Sequence, residues 1–194
     1  MSRPAVVVRD AQEDDLPALL QMWSELRDLA GRMERLMPAA DDEAMRKLLV
    51  DVDNDPYSRA LVAVVDDEVA GIVLLSDTPY APLFDQRAVN AHYLHVREGF
   101  RRRGVGKALL AAAVAFAEET GAEHVMTSVL PQLRETQRFY ARLGMSPVVV
   151  RRSAPVSMLR RRLSASGGAS VTDSLLARRR TLRRVRAAVA RVTD

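Results

Sequence analysis

The sequence predicts an α/β (α+β) domain, a sheet flanked by helices, with a basic helical segment after it. Three observations predict this. Runs rich in β-branched residues alternate with runs of helical spacing. Two of the β-branched runs stand on either side of Asp66-Asp67, as in a hairpin with a two-residue turn. The segment from Arg101 to Lys107, with Gly104 and Gly106 inside it, joins an apolar strand to an alanine-rich helix.

In chain order, Ala5 to Asp10 is β-branched and reads as strand one, and Asp14 to Ala30 carries Leu16, Leu19, Leu20, Trp23 and Leu26 near helical spacing. Asp41 to Val52 opens with acids suited to a helix N-terminus and ends before Asn54 and Pro56. Arg59 to Val65 and Glu68 to Leu75 form the hairpin. Ser76 to Arg87 holds Pro79, Tyr80, Pro82 and Phe84 and reads as a loop of the length that often carries function. Strand four runs from Ala88 to Val96. The helix after the glycine loop is uninterrupted through Ala117 and stops at Gly121, a residue suited to a left-handed cap. Glu123 to Leu130 is strand five, a helix follows from Glu135, and Ser146 to Arg152 and Pro155 to Leu163 are read as two closing strands.

The glycine loop has the chemistry of an anion site. Gly104 and Gly106 leave the amides of a helix start unobstructed, where N–H groups without intrahelical acceptors and the positive dipole end favour negative charge. Arg101, Arg102, Arg103 and Lys107 surround that position. Two familiar glycine patterns fail. A Walker loop needs glycine where Arg101 stands and a hydroxyl where Ala108 stands, which argues against ATP hydrolysis. A dinucleotide fingerprint needs a third glycine where Leu109 stands.

The pattern that fits is Gln or Arg, two residues, Gly, one residue, then Gly or Ala, met by Arg101, Gly104 and Gly106 after Leu94-His95-Val96. Downstream, Phe139, Tyr140, Leu143, Gly144 and Met145 fit a second pattern, a helix ending in Tyr, three residues, Gly and an apolar residue. Its usual asparagine and alanine are replaced by Leu133 and Thr136. On these residues the chain, over positions 5 to 163, resembles the GNAT-type N-acetyltransferase superfamily. The resemblance implies a mixed, mostly antiparallel sheet of about seven strands with flanking helices. It further implies acetyl-CoA as co-substrate, its pyrophosphate held by Arg101, Arg102, Arg103, Gly104, Val105, Gly106 and Lys107.

By the same resemblance, backbone amides of Leu94, His95 and Val96 at a bulge in strand four face the thioester. Tyr140 donates a proton to the leaving thiolate. The acceptor, a primary amine of a small molecule or a protein, lies between the first two helices and the loop after strand three. Some relatives carry a carboxylate base on strand four, but no carboxylate stands between Arg87 and Val96 here; Asn90 and His92 do. His92 is the catalytic base on this reading, or else a strand histidine with a structural hydrogen bond. Strand alternation places His92 with Asn90 on one face and His95 on the other. A non-catalytic coenzyme-binding or oligomerising module is the alternative.

Composition bounds the rest. The longest apolar run, Ala108 to Ala117, is shorter than the ~20 residues a membrane helix needs, and no signal-peptide core opens the sequence, so a cytoplasmic location is expected. With no cysteine, neither a disulfide nor a thiolate nucleophile is available, and no spacing of acids and histidines implies a metal. Residues 1 to 150 hold 17 Lys+Arg against 23 Asp+Glu, whereas residues 151 to 194 hold 12 against 2. The basic charge belongs to the tail. Residues 164 to 172 read as a linker, and residues 173 to 194 as a basic amphipathic helix with Leu175, Leu182, Val185, Val189 and Val192 on one side. That helix suits docking on its own domain, a homodimer, or a nucleic acid or other anionic surface.

Overall fold

A computed structural model of the chain describes residues 5–30, 39–81, 84–130, 132–150 and 152–165. The sheet grows outward from the expected hairpin. Strands β2 (Ser58–Val65) and β3 (Glu68–Ala81) pair antiparallel around Asp66 and Asp67, whose φ angles of 51° and 64° are those of a turn matched to strand twist. Strand β1 (Val7–Asp10) adds antiparallel to β2, and β4 (Phe84–Val96) adds antiparallel to β3. Strand β5 (His124–Thr127) joins β4 in parallel. Sheet order equals chain order, β1-β2-β3-β4-β5.

Each face of the sheet is covered differently. Val73, Leu75, Val89 and Ala91 meet helix α3 (Val105–Thr120) through Val105 and Leu109. On the other face, Val62 meets Leu16, Leu19 and Met22 of α1 (Leu16–Ala30) and Met45 of α2 (Asp42–Asp53). The acids expected to open α2 do so: Asp41 accepts a hydrogen bond from the Ala44 amide at 2.9 Å. Helix α3 ends as expected, with Gly121 at φ 72° and the Ala122 amide donating to Ala117 O at 2.8 Å.

Two expectations are corrected. The segment expected as a loop from Ser76 to Arg87 is mostly strand, with β3 and β4 paired from Ser76↔Asn90 to Ala81↔Phe84. Cross-strand pairs hold it: Asn90 donates to Thr78 Oγ1 at 2.6 Å, and Arg87 lies 2.6 Å from the buried Asp77 carboxylate. The second correction concerns the end of the sheet. It has five strands among the described residues, not seven. Residues 146–150 carry no regular structure, and the stretch expected as a strand from Pro155 to Leu163 is instead helical, within α5 (Val156–Ala165). Methionine, leucine and arginine are good helix formers, and Pro155, just before the helix, costs it no hydrogen bond.

The chain divides into two compact units, Met1–Phe139 and Tyr140–Asp194. Helix α4 (Arg134–Arg142) begins in the first and ends in the second. Ser164 and Ala165, expected in a linker, are the last residues of α5, whereas the rest of that linker and the whole basic tail helix lie outside the described residues. No helix among the described residues is long and apolar enough to cross a membrane.

Candidate active site

The site begins with an irregularity in β4. The register runs from Leu74↔His92 to Ile72↔His95, so Val73 alone faces both Tyr93 and Leu94. This is a β-bulge, and Tyr93 takes a φ of 53° to make it. The other edge of β4 opens at the same place. Strand β5 pairs only with Ala88 to Ala91, and the last pair is closed off by the Thr127 hydroxyl donating to Ala91 O at 3.0 Å. From His92 to Val96, β4 therefore has no β5 partner.

Beneath the bulge the backbones approach so closely that only glycine fits. A Cβ built on Gly71, which pairs with Val96, would lie 2.7 Å from His95 O and 3.0 Å from Val105 Cγ1. The end of β4 and the start of α3 thus both crowd against Gly71 of β3.

The glycine loop stands beside that junction. After a 3-10 turn at Glu98–Phe100, Arg102 at φ 61° and Gly104 at φ 96° reverse the chain into α3. No side chain caps this helix, and a Cβ on Gly104 would meet nothing within 4 Å. The amides of Val105, Gly106 and Lys107 thus begin a helix whose end is open, the arrangement that binds anions. Gly106 faces Val96 Cγ2 and Phe139 Cζ, at 3.7 and 3.5 Å from a built Cβ. Arg101 donates from Nε to Val96 O at 3.3 Å, tying loop to strand. Arg103 leans toward Asp66, 3.8 Å away, with its guanidinium over the Phe100 ring. Arg102 and Lys107 are exposed. The structure therefore brings together Val96 and Arg101 through Lys107, with Leu94 and His95 adjoining on β4.

The bulge also overturns the expected alternation of histidines. Ile72, packed on the α1 and α2 side, pairs with His95, and Leu74, two residues on, pairs with His92, so both histidines share the face that α1 covers. His92 Nε2 lies 3.1 Å from Ser76 Oγ. His95 is only 5% exposed, and its Nε2 lies 2.7 Å from Glu25 Oε2 on α1. Burial holds the His95 ring below its usual pKa, against the raising effect of Glu25, with Arg101 adding to the lowering. A carboxylate oxygen only accepts, so Nε2–H donates to it. Glu25 is 33% exposed, accepts a hydrogen bond from Gln21 Nε2 at 3.4 Å, and has Arg97 Nε at 4.0 Å. The two residues stand 70 positions apart in the chain, and no sequence pattern joins them. Nearby, Trp23 of α1 meets Tyr93 edge-on with ring centroids 5.1 Å apart.

Tyr140 belongs to the second unit. It sits in α4 and is 5% exposed. The helix is ended by Gly144 at φ 81°, with the Met145 amide donating to Tyr140 O at 3.1 Å and the Gly144 amide to Ala141 O at 3.1 Å. This capping is what the Gly144-Met145 pair in the sequence encodes.

The first unit thus sets an open helix end beside the stretch of β4 that lies past its pairing with β5, with a histidine–carboxylate pair on the face that α1 covers. The fold is similar to a transcriptional regulator from Bacillus halodurans C-125, with a TM-score of 0.66 and 21% identity, covering 78% of this chain and 99% of that one. It is also similar to glucosamine-6-phosphate N-acetyltransferase from Arabidopsis thaliana, at TM-score 0.61 and 14% identity over 78% and 99% of the two chains. An aminoglycoside N-acetyltransferase in complex with CoA gives 0.58 and 22%, over 78% and 97%. No curated protein matches the sequence. The sequence itself matches the Acetyltransferase (GNAT) family over residues 20–145, well over half its length, and the chain therefore belongs to that family.

Proposed function

We propose that the protein is an acetyl-CoA-dependent N-acetyltransferase acting on a primary amine. The observation that carries this reading is the start of α3 at Gly104, which no side chain caps, set against the bulged end of β4 past its pairing with β5. Acetyl-CoA supplies an activated acyl group and a pyrophosphate. Amides of Val105, Gly106 and Lys107, with Arg101, Arg102 and Arg103, hold the pyrophosphate, and the backbone of Leu94, His95 and Val96 lies along the acyl end. Amides aimed at the developing oxyanion stabilise it without reorganising. Two of the similar folds belong to proteins whose names specify N-acetylation, one of them in complex with CoA, in keeping with an amine acceptor for this chain.

Departure of the thiolate calls for an acid. A thiol has a pKa of about 8.5 and a tyrosine hydroxyl about 10, close enough for Tyr140 to donate a hydrogen bond to the thiolate, and a proton slightly uphill. His92, the sequence's choice for proton removal, lies with its Nε2 3.1 Å from Ser76 Oγ. The reading is tested by following free-thiol release from acetyl-CoA with a panel of primary amines. Wild-type protein should turn over, and Tyr140→Phe should lose on the order of 100-fold in kcat while binding acetyl-CoA as before. A wild type that releases no thiol with any amine overturns the proposal; an undiminished Tyr140→Phe removes the acid role.

A further inference from the structure

The histidine–carboxylate pair between β4 and α1 is not used by the mechanism above. It is an expensive feature to build. A buried imidazole on an otherwise packed face has to find a partner, and here the partner comes from a helix 70 positions away in the chain. The bulge that opens β4 is the same bulge that turns His95 toward α1 rather than toward α3. One backbone defect therefore sets both the bulge in the strand and the orientation of the ring.

We propose that His95 takes up the proton released by the acceptor amine, and that Glu25 is the positioning residue that makes it a base. The inference rests on the acetyltransferase reading given above. Glu25 Oε2 engages Nε2–H at 2.7 Å, which fixes the tautomer and leaves Nδ1 as the ring's acceptor. A carboxylate in this relation also stabilises the imidazolium that forms, the division of labour known from hydrolase triads.

The proton balance closes. An acceptor R–NH3+ gives one proton to His95 Nδ1, directly or through one water, and its freed lone pair forms the C–N bond. The C–S bond breaks, and the thiolate takes the Tyr140 proton. Tyr140 is restored by the second proton leaving nitrogen, and His95 returns its proton to solvent past the partly exposed Glu25 carboxylate. Net products are the amide, the free thiol and one proton. The charged groups facing the pair are Arg97 at the end of β4 and Arg101 in the loop, both of which oppose protonation, and Gln21 on α1 holds the other carboxylate oxygen.

The test is the pH dependence of kcat/KM for full-length wild type, Glu25→Gln, His95→Gln and His92→Ala, each with its acetyl-CoA affinity and Tm. Glu25→Gln keeps the shape and can still accept from Nε2–H, so it should fold normally. Its acidic limb should move to lower pH as the raising effect of the carboxylate is lost, and its plateau should fall on the order of 100-fold, with acetyl-CoA affinity unchanged. Nitrogen NMR of the His95 ring should show the same downward shift in titration without any substrate. His95→Gln should lose the limb, whereas His92→Ala should keep it. A limb retained in His95→Gln, or lost in His92→Ala, overturns the assignment, as does an equal rate loss at every pH in Glu25→Gln. Absence of thiol release by wild type overturns both this and the acetyltransferase reading, whereas an active wild type with unmoved variant profiles overturns this one alone.

Discussion

Replacing Gly71 by alanine tests whether the closeness of β3 to the bulge is what holds the site together. The added methyl would sit 2.7 Å from His95 O, with Val105 Cγ1 at 3.0 Å and Leu109 Cδ1 at 3.2 Å. A carbon–oxygen contact is ordinarily about 3.3 Å or more, so the methyl falls roughly 0.6 Å short against a backbone carbonyl that has no rotamer to change. Val105 and Leu109 are themselves fully buried and cannot retreat into solvent. Overpacking of this kind costs about 1–3 kcal/mol. The midpoint of that range corresponds to a fall of roughly 4–8 °C in Tm for a chain of this size. Because the displaced groups are His95 on β4 and Val105 at the first turn of α3, acetyl-CoA affinity should fall with stability. Thermal unfolding followed by circular dichroism, together with titration calorimetry of acetyl-CoA, checks both. An alanine variant with wild-type Tm and affinity would refute the claim that this contact sets the geometry of the site.

Other expectations follow from particular contacts. At Gly106 a methyl meets Phe139 Cζ at an ordinary 3.5 Å, so Gly106→Ala should leave stability within about 1 kcal/mol and raise the calorimetric Kd for acetyl-CoA by about tenfold; an unchanged Kd would show that these amides are not used. Gly104→Ala faces open space but must hold φ 96°, and is expected to cost about 1–2 kcal/mol by denaturant titration. Although burial alone would raise the Asp15 carboxyl, Arg9 at 2.7 and 2.8 Å and the Gln12 amide at 2.8 Å hold it below its ordinary pKa. Asp15 therefore adds stability above the usual carboxylate range that is lost as pH falls through its folded value, and Asp15→Asn should cost about 2 kcal/mol at pH 7 and flatten acid unfolding. His95 works in the same direction at higher pH. Its folded pKa lies below the ordinary 6.5, so the unfolded chain binds the proton first and stability declines as pH drops below that value. His95→Gln should lack this slope in pH-dependent unfolding.

What the sequence discloses is set by how local the governing interaction is. Gly104, Gly106 and Gly121 announce the start and end of α3 because a left-handed turn and an open helix end are properties of a few adjacent residues. Asp66-Asp67 announces the hairpin for the same reason. Ser76 to Ala81 reads as a loop because its composition favours turns, yet pairing with the strand opposite prevails; that pairing is a tertiary fact. Pro155 to Leu163 fails on period, since a nine-residue stretch rich in arginine alternates loosely enough to pass for a strand. His95 and Glu25 could not be joined from sequence at all. Alternation sends the ring to the wrong face unless the bulge is known, and the bulge depends on Tyr93 adopting a conformation its residue type does not advertise. Gly71 was the available hint, an isolated glycine within a strand pattern being a sign of close backbone approach.

Because β2, β3 and β4 follow one another directly in the chain and in the sheet, they can zip up by short-range closures, whereas β1 reaches β2 only across the segment that carries α1 and α2. The pairing of β4 with β5 is different in kind. It is parallel, spans four residues a side, and waits on the whole of α3 being folded between them. That seam, like the one between β1 and β2, closes over a longer stretch of chain than the hairpins do. On the acetyltransferase reading proposed above, the short parallel seam stands next to where the thioester would bind.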